Sequence, residues 1–342
     1  MDFLKIQPLI AKGRLMVIES SMRAYCMALC AALLSGVSGT ASAQSYPSQP
    51  IHFLVPYPAG FAVDTLAREI GQKLSEKWGQ PVIIDNRSGA GGLLGIERAA
   101  KSLPDGYTVL IVSSSGLTVS PSMYGNVPYD PEKDFSPVTL AARLSQVLVV
   151  NPSVPAKSVK ELIELAKSKP GELNYASTGN GTMVHLAGAL FNKMAGVDMA
   201  HIPYRGQEAR VDLLAGRVSV MFATVSSVLS NVKAGNLRAL AVTGSARSSV
   251  MPDLPTISEA GLPGYAAEGW IGALVPAGTP NEIITKLNNE IVNILQMPEV
   301  RARLVNQGLE PVTNTPEQFT IYLKQEIAKW SGIVKDLGIR AN

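Results

Sequence analysis

Residues 55–69 read VPYPAGFAVDTLARE, and the fold turns on how this stretch changes character along its length. The five residues leading into it, IHFLV (51–55), are apolar and strand-prone. Two prolines and a glycine then break the chain, and an amphipathic helix follows within a few residues. That helix is expected from about Asp64 to Trp78, with Leu66, Ala67, Ile70, Leu74 and Trp78 on one face. Strand, backbone-rich turn and helix start is how α/β proteins build an anion site, because the first helical N–H groups lack intrahelical partners and point outward. Yet the turn carries no Lys, Arg or His. A site prepared for a negative group without a positive charge has to work through neutral donors.

The same alternation continues along the chain. Strand-like runs occur at IHFLV (51–55), PVIID (81–85), YTVLIV (107–112), VLVV (147–150), LNYA (173–176), MAHIP (199–203), VSVMF (218–222), LRALAV (237–242) and WIGALV (270–275). Helical patterns lie between them, among them SVKELIELAKSK (158–169) and VSSVLSNVKAG (225–235). Alternation of this kind predicts parallel sheets covered by helices. Nine strands exceed one small sheet, so two α/β domains are expected. The tail is helical at 281–295, 298–307 and 316–337 and must pack back onto something earlier. The economical division has lobe one at 44–145 plus 268–342 and lobe two at 146–267. Strands near 147–150 and 270–275 would cross between the lobes, which makes a hinge and a cleft for a ligand.

The first 43 residues read as an address. Met22-Arg23 precedes AYCMALCAALL (24–34), then SGVSGT and Ala41-Ser42-Ala43. A cationic start, a short apolar run and an A-x-A site make a secretory signal cleaved after Ala43, and the run is too short to span a membrane. Residues 1–21 read as an upstream extension, the alternative being an ordered N-terminal helix. Cys26 and Cys30 are the only cysteines. Both fall inside the leader without a lipoprotein pattern, so the exported chain is expected to be freely soluble. Removing the leader leaves 26 basic and 25 acidic residues of the 30 and 27 present. That balance argues against nucleic acid and against an anionic membrane surface.

In open α/β sheets, ligands sit beyond the carboxyl ends of strands. Several exits here are rich in small or hydroxylic residues: the opening stretch, DNRSGAGGLLGIERAA (85–100), SSSGLTVS (113–120), YASTGNGTMVHLAGALF (175–191), IPYRGQEARVDLL (202–214) and MFATVSS (221–227). Each offers N–H groups and hydroxyls to a carboxylate, helped by the helix dipole. Singly, each reads equally as an ordinary turn; facing sets in two lobes favour a cleft. GAGGLLG (89–95) has Leu94 where a dinucleotide fingerprint needs its third glycine, and no P-loop motif occurs, so no cofactor is expected. Of the three histidines, His52 and His201 lie in strands and read as structural. His185 lies one turn after Thr182 on the same helix face, as a site residue or as a satisfied histidine of the cap region. Without an H-E-x-x-H, an i,i+4 His pair or a cysteine in the exported chain, zinc is not expected. The absence of G-x-S-x-G argues against a nucleophile elbow.

VPYPAG…DTLAR (55–68), PVIIDNRSGAGG (81–92), PDGYTVL (104–110), YDPEKDFSPVTL (129–140), LNYASTGNGTMVHLAG (173–188), IPYRG (202–206), KAGNLRALAVT (233–243), LPTISEAGLPGY (254–265) and PAGTP (276–280) together resemble the Bug/TctC family, the solute-binding receptors of tripartite tricarboxylate transporters. The resemblance implies an α/β, type II periplasmic-binding-protein fold of two doubly wound lobes with a cleft and hinge. It implies a periplasmic monomer that is not an enzyme, captures a small di-, tri- or aromatic carboxylate and delivers it to membrane permease subunits. An exported hydrolase using the same cleft and a ligand sensor for a membrane partner are the alternatives. Family receptors hold carboxylates through loop N–H groups, hydroxyls and waters, which answers the missing charge: neutral donors leave exchange easy. By position, the implied ligand residues are Tyr57, Ala59, Phe61, Asp64, Ser114 and Ser115 in lobe one. In lobe two they are Thr178, Gly179, Asn180, Thr182, His185, Tyr204 and Thr224. Asp64 is expected to cap its helix and shape the loop. The chain departs from the family at Phe61-Ala62-Val63, at QEARVDLLAG (207–216), which lacks a common proline, and at Ala223, where Asp is frequent. All three are expected to touch the cleft, the first and third making it more apolar and favouring an aromatic or longer carboxylate. Phe61 either turns into sheet–helix packing or projects into the cleft.

Overall fold

The computed structural model describes residues 46–144, 146–204 and 208–340. The expected leader, its cleavage site and part of the IPYRG exit lie outside them. In chain order the elements are β1 (Ile51–Val55), α1 (Ala62–Trp78), β2 (Val82–Asn86), α2 (Leu93–Ala100), β3 (Thr108–Ser113), α3 (Ser114–Thr118), α4 (Ser120–Tyr124), β4 (Phe135–Leu144) and β5 (Gln146–Val150). There follow α5 (Val159–Ser168), β6 (Asn174–Ser177), α6 (Met183–Ala195), β7 (Ala200–Pro203), α7 (Glu208–Leu214), β8 (Val220–Thr224), α8 (Val225–Lys233) and β9 (Arg238–Val242). The chain closes with β10 (Gly269–Pro276), α9 (Asn281–Gln296), α10 (Pro298–Asn306), β11 (Leu309–Pro311) and α11 (Pro316–Asp336).

The opening unit forms as its pattern requires. Leu66, Ala67, Ile70 and Leu74 on α1 are fully buried against β1, whose Ile51, Phe53 and Val55 are equally buried. Burying each of the larger side chains stabilises the unit by about 1.5–3 kcal/mol. Gly79 ends the helix in the left-handed region at φ 65°, where its N–H reaches the Ser75 carbonyl.

Two sheets result, one ordered β11-β4-β10-β3-β1-β2 and the other β7-β6-β8-β5-β9. Each is built on the same plan. In the first, β1 lies between β2 and β3 in parallel, and β10 then pairs antiparallel with β3 and β4. In the second, β6 pairs in parallel with β7 and β8, and β5 pairs antiparallel with β8 and β9. The central antiparallel strand of each sheet, β10 or β5, is the first strand the chain makes on arriving from the other. β4 ends at Leu144 in the first sheet and β5 begins at Gln146 in the second; β9 ends at Val242 and β10 returns at Gly269. The parallel sheets expected from the alternation therefore carry reversed strands, β10 and the short edge strand β11 in the first and β5 in the second, β10 and β5 because a chain crossing into a sheet enters it at the opposite end.

All nine expected strands are present, and two more were missed. β4, FSPVTLAARL, is alanine-rich and holds Pro137, which argues against a central strand. Pro137 is accommodated because β11 pairs only with residues 142–144, leaving that stretch of β4 an edge, and because the pairing with β10 shifts register beside it, between Ala273 and Leu274. β11 has three residues, too few for a periodicity. The helical tail also divides its packing. Phe319 and Leu323 at the start of α11 sit in the first sheet's core with Trp270 and Leu274. Trp330, Ile333 and Val334 near its end sit with Leu186, Phe191 and Tyr265 over the second sheet.

Candidate functional site

The loop after β1 is organised by Asp64, which is 2% exposed. Its carboxylate accepts the Gly60 N–H at 2.8 Å, Arg68 Nε at 2.9 Å and Asn86 Nδ2 at 2.9 Å. Burial alone would raise its pKa, but the hydrogen bonds from Arg68, Gly60 and Asn86 together hold it below the usual carboxylate range. Asp64 thus shapes the loop as expected, from the third helical position; the N-cap is Phe61, without a side-chain cap bond. Among the described residues no acceptor takes the N–H of Ala62 or Val63. Ala59 is exposed, and Phe61 is 59% exposed, so it does not pack into the sheet–helix core.

Tyr57 runs from this loop to the β3 exit. Its hydroxyl lies 2.6 Å from Ser113 Oγ, which lies 3.1 Å from Ser115 Oγ. Burial raises the Tyr57 pKa. Ser114 is buried, and its hydroxyl accepts the Trp270 N–H at 3.3 Å, tying this exit to the start of the returning strand β10.

In the second sheet the Thr178–Thr182 loop is held from beneath. Ser177 Oγ accepts the Gly179 N–H at 3.1 Å and lies 2.7 Å from His201 Nε2. Thr182 caps α6: its hydroxyl accepts the His185 N–H at 3.3 Å and donates to the Gly179 carbonyl at 2.8 Å. A threonine has one hydroxyl proton, so in this arrangement Thr182 has none left for a ligand oxygen. His185 is 7% exposed, and its Nδ1 accepts the Gly181 N–H at 3.1 Å, which places its own proton on Nε2. Its ring stacks on His201 with centroids 3.9 Å apart, and His201 stacks in turn on Tyr175 at 5.0 Å. Burial, assisted by the His201 charge, lowers the His185 pKa to about 4; burial also lowers that of His201. The satisfied histidine of the cap region is the arrangement observed. Thr178 and Asn180 are exposed at the loop's crest, and Gly179 is half-buried.

Tyr204 follows β7, with its hydroxyl donated to Asp212 at 2.9 Å; Arg217 also holds that carboxylate. Thr224 ends β8 and is the N-cap of α8. Ala223 is different: it is fully buried among Val147, Ala209 and Leu213 on the opposite face of the sheet. Its replacement of a frequent Asp therefore does not make the cleft more apolar, because strand alternation turns it away from Thr224.

The carboxyl ends of the two sheets meet. Met123, just beyond the β3 exit, lies so close to Gly181 that a Cβ there would overlap its thioether, and Gly181 also holds φ at 73°. Val119 joins the core over the second sheet, and Met183 lies 3.7 Å from where a Gly269 Cβ would stand. The cations described at these exits are spoken for: Arg68 by Asp64, Arg87 by Asp85, Arg210 by the Ser227 carbonyl and Arg217 by Asp212. Among the described residues, these exits present backbone N–H groups, hydroxyls, the Asn180 amide and the exposed ring of Phe61. Such a set can hold an anion through neutral donors. Ser177, His201 and Gln146 were not anticipated as parts of this site; a polar residue opening the apolar run QVLVV was the available signal for Gln146.

The chain matches a family model described as "Tripartite tricarboxylate transporter family receptor" over residues 66–339. Protein BugT of Bordetella pertussis is 39% identical over 308 residues, covering 90% of this chain and 94% of that one. Two solved structures are alike throughout. R. palustris Rpa4515, solved with adipate, is 36% identical with a TM-score of 0.72, covering 86% of this chain and 99% of that one. The periplasmic binding protein BugD is 30% identical with a TM-score of 0.69, covering 87% and 100%. Two sheets of one strand order, joined by reversed crossing strands, are the type II periplasmic-binding-protein fold, and family members are solute-binding receptors rather than enzymes. The chain belongs to the TctC family of tripartite tricarboxylate transporter receptors.

Proposed function

We propose that this receptor captures a small carboxylate in the periplasm, after removal of residues 1–43, and hands it as a monomer to the permease subunits of a tripartite tricarboxylate-type transporter. The observation that carries this function is the set of neutral donors and hydroxyls at the carboxyl ends of both sheets, with the neighbouring arginines already paired. A relative solved with adipate supports a carboxylate as ligand. The lobes are 44–145 with 268–342, and 146–267, closing on the ligand; α11, part of the first lobe, also packs its far end on the core of the second. Tyr57, Ala59, Phe61, Ser115, Thr178, Gly179, Asn180, Tyr204 and Thr224 are assigned to the ligand surface. Asp64, Ser114, Thr182 and His185 hold that surface in shape.

The test is a thermal-shift screen of residues 44–342 against mono-, di- and tricarboxylates, aliphatic and aromatic. A ligand that binds only the native state raises the unfolding midpoint by mass action. A rise for a subset of carboxylates, absent for sugars and amines, is the expected outcome. No rise for any carboxylate at millimolar concentration overturns the assignment.

A further inference from the structure

Gln146 is the first residue of β5, the strand on which the chain enters the second sheet. β5 runs antiparallel to β8, so Gln146 stands at the carboxyl end of the sheet, directly opposite Thr224. Paired residues on neighbouring antiparallel strands project to the same face, roughly 4.5–5.5 Å apart at Cβ. Two residues further along, Leu148 and Val150 pair with Phe222 and Val220, and all four lie in the core beneath α6. Tyr175 lies on that face too, and so by alternation does Ser177. Thr224 and Gln146 therefore stand side by side on β8 and β5, and Ser177 of β6 lies on the same face one step back, in register with Phe222, at the end of the face where the Thr178–Thr182 loop and the first turn of α6 begin.

Ser177 has evident work, since it binds the loop and His201, and Thr224 stands at the N-cap position of α8 without a side-chain cap bond. Gln146 stands apart. It is 4% exposed, and its amide oxygen is buried with no hydrogen-bond partner among the described residues. Its backbone carbonyl is taken, accepting both the N–H and the hydroxyl of Thr243. The amide nitrogen is not among the buried unpartnered atoms. The unmet capacity at this position is therefore that of an acceptor, and leaving a buried acceptor unpaired is costly.

We propose that Gln146 is a specificity-determining contact: its side-chain oxygen accepts a hydrogen bond from a hydroxyl on the bound carboxylate, so the receptor selects 2-hydroxycarboxylates over their unsubstituted counterparts. This rests on the carboxylate-receptor function proposed above. An ionised carboxylate has no proton to give to an amide oxygen, whereas a hydroxyl beside it does. A ligand ammonium is the poorer occupant, because it would be desolvated against a neutral amide. Nothing in the loops that bind the carboxylate itself makes this distinction, since N–H groups and hydroxyls serve both members of such a pair.

The experiment compares matched ligands by calorimetry: malate with succinate, and mandelate with phenylacetate, each on the unmodified exported chain and on Gln146→Met. Methionine keeps the length of the side chain and removes the amide, and denaturation curves check that it folds. In at least one pair the unmodified chain should prefer the hydroxylated member by roughly tenfold, the worth of one neutral hydrogen bond to a buried acceptor. Gln146→Met should abolish the preference and leave succinate or phenylacetate binding as tight or tighter. Equal binding of both members by the unmodified chain overturns the proposal while leaving the receptor function intact. So does an equal loss of both in Gln146→Met, which would mean that the amide holds a water or the strand end. Binding of no carboxylate at all overturns the function and the proposal together.

Discussion

The stacked histidines under the Thr178–Thr182 loop make a quantitative prediction about acid. His185 accepts the Gly181 N–H at Nδ1, and an imidazolium cannot accept. Burial, with the His201 charge 3.9 Å away in the stack, brings its pKa from 6.5 to about 4 in the folded chain. Because the folded value lies below the unfolded one, the stabilising contribution is complete above about pH 6.5. It is lost as pH falls toward 4, where the unfolded chain binds the proton first. Linkage gives a loss of about 2 kcal/mol between pH 8 and pH 5 from His185 alone. His201 shifts in the same direction, also through burial, and adds to the loss. Glu268, whose pKa burial raises, acts with the opposite sign. The lowered carboxylates Asp64 and Asp212 weaken the fold only at more acid pH still.

Comparing the chain with His185→Asn separates these contributions, since asparagine keeps an acceptor near Gly181 but does not titrate. Urea denaturation at pH 8 and at pH 5 should show the unmodified chain losing about 2 kcal/mol more than the variant. Ligand affinity should fall in step, because a protonated His185 releases the backbone of the binding loop. If both proteins lose stability equally, His185 is not held neutral by its surroundings, and the account of the loop's support fails.

Other substitutions test the remaining parts. Thr182→Val removes the α6 cap and the bond to the Gly179 carbonyl, so it should lower stability by about 0.5–2 kcal/mol in denaturant titrations as well as weaken ligand binding, whereas Thr182→Ser should do neither. Phe61→Gly should leave the melting temperature nearly unchanged, since the ring is exposed. Calorimetry should show it loosening an aromatic carboxylate by roughly two- to tenfold, the worth of an offset ring pair, and sparing an aliphatic one. Small-angle scattering of the exported chain should give a smaller radius with saturating ligand than without; an unchanged radius would argue against hinge closure.

What the sequence revealed and what it hid follow from how far apart the determinants lie. Periodicity is local, so β1 with α1, and each later strand–helix pair, could be read directly. The Thr182 cap was visible for the same reason, with the helix beginning at the next residue. Strand order and direction depend on where the chain crosses, and no local pattern records that β5 and β10 enter reversed. β4 was hidden by Pro137, whose tolerance depends on β11 stopping short some 170 residues later along the chain. Asp64 could be recognised as a loop former, but its partner Asn86 comes from β2. Ala223 was misjudged because side-chain direction at a strand end is fixed by register, and register with β5 is a long-range fact. His201 read as an ordinary strand residue; only the fold brings it against His185.

The chain's crossings between the sheets bear on how the receptor can move. β4 to β5 and β9 to β10 are two covalent crossings, and two crossings at one seam leave a rotation between lobes free. α11 makes a third connection, noncovalent and buried. Its Glu326, 6% exposed, accepts Trp270 Nε1 at 3.3 Å from the first sheet's returning strand and Trp330 Nε1 at 2.9 Å from the core over the second. Lys193 on α6 pairs with Asp336 at the helix end, and Lys329 balances Glu326 at 3.1 Å. Packed interiors are close-packed and shift between discrete arrangements rather than deform smoothly. A rotation that opened the cleft widely would have to pull either Phe319 and Leu323 or Trp330 and Val334 from their cores, each a loss of several kcal/mol for the large side chains involved. For the closure proposed above, these contacts favour a small motion about Glu326, with α11 as its axle. Neutral donors would suit the proposed device: they would close a short gap on a carboxylate and let it go, where a buried ion pair in so limited an opening would have to be torn apart before water could replace it.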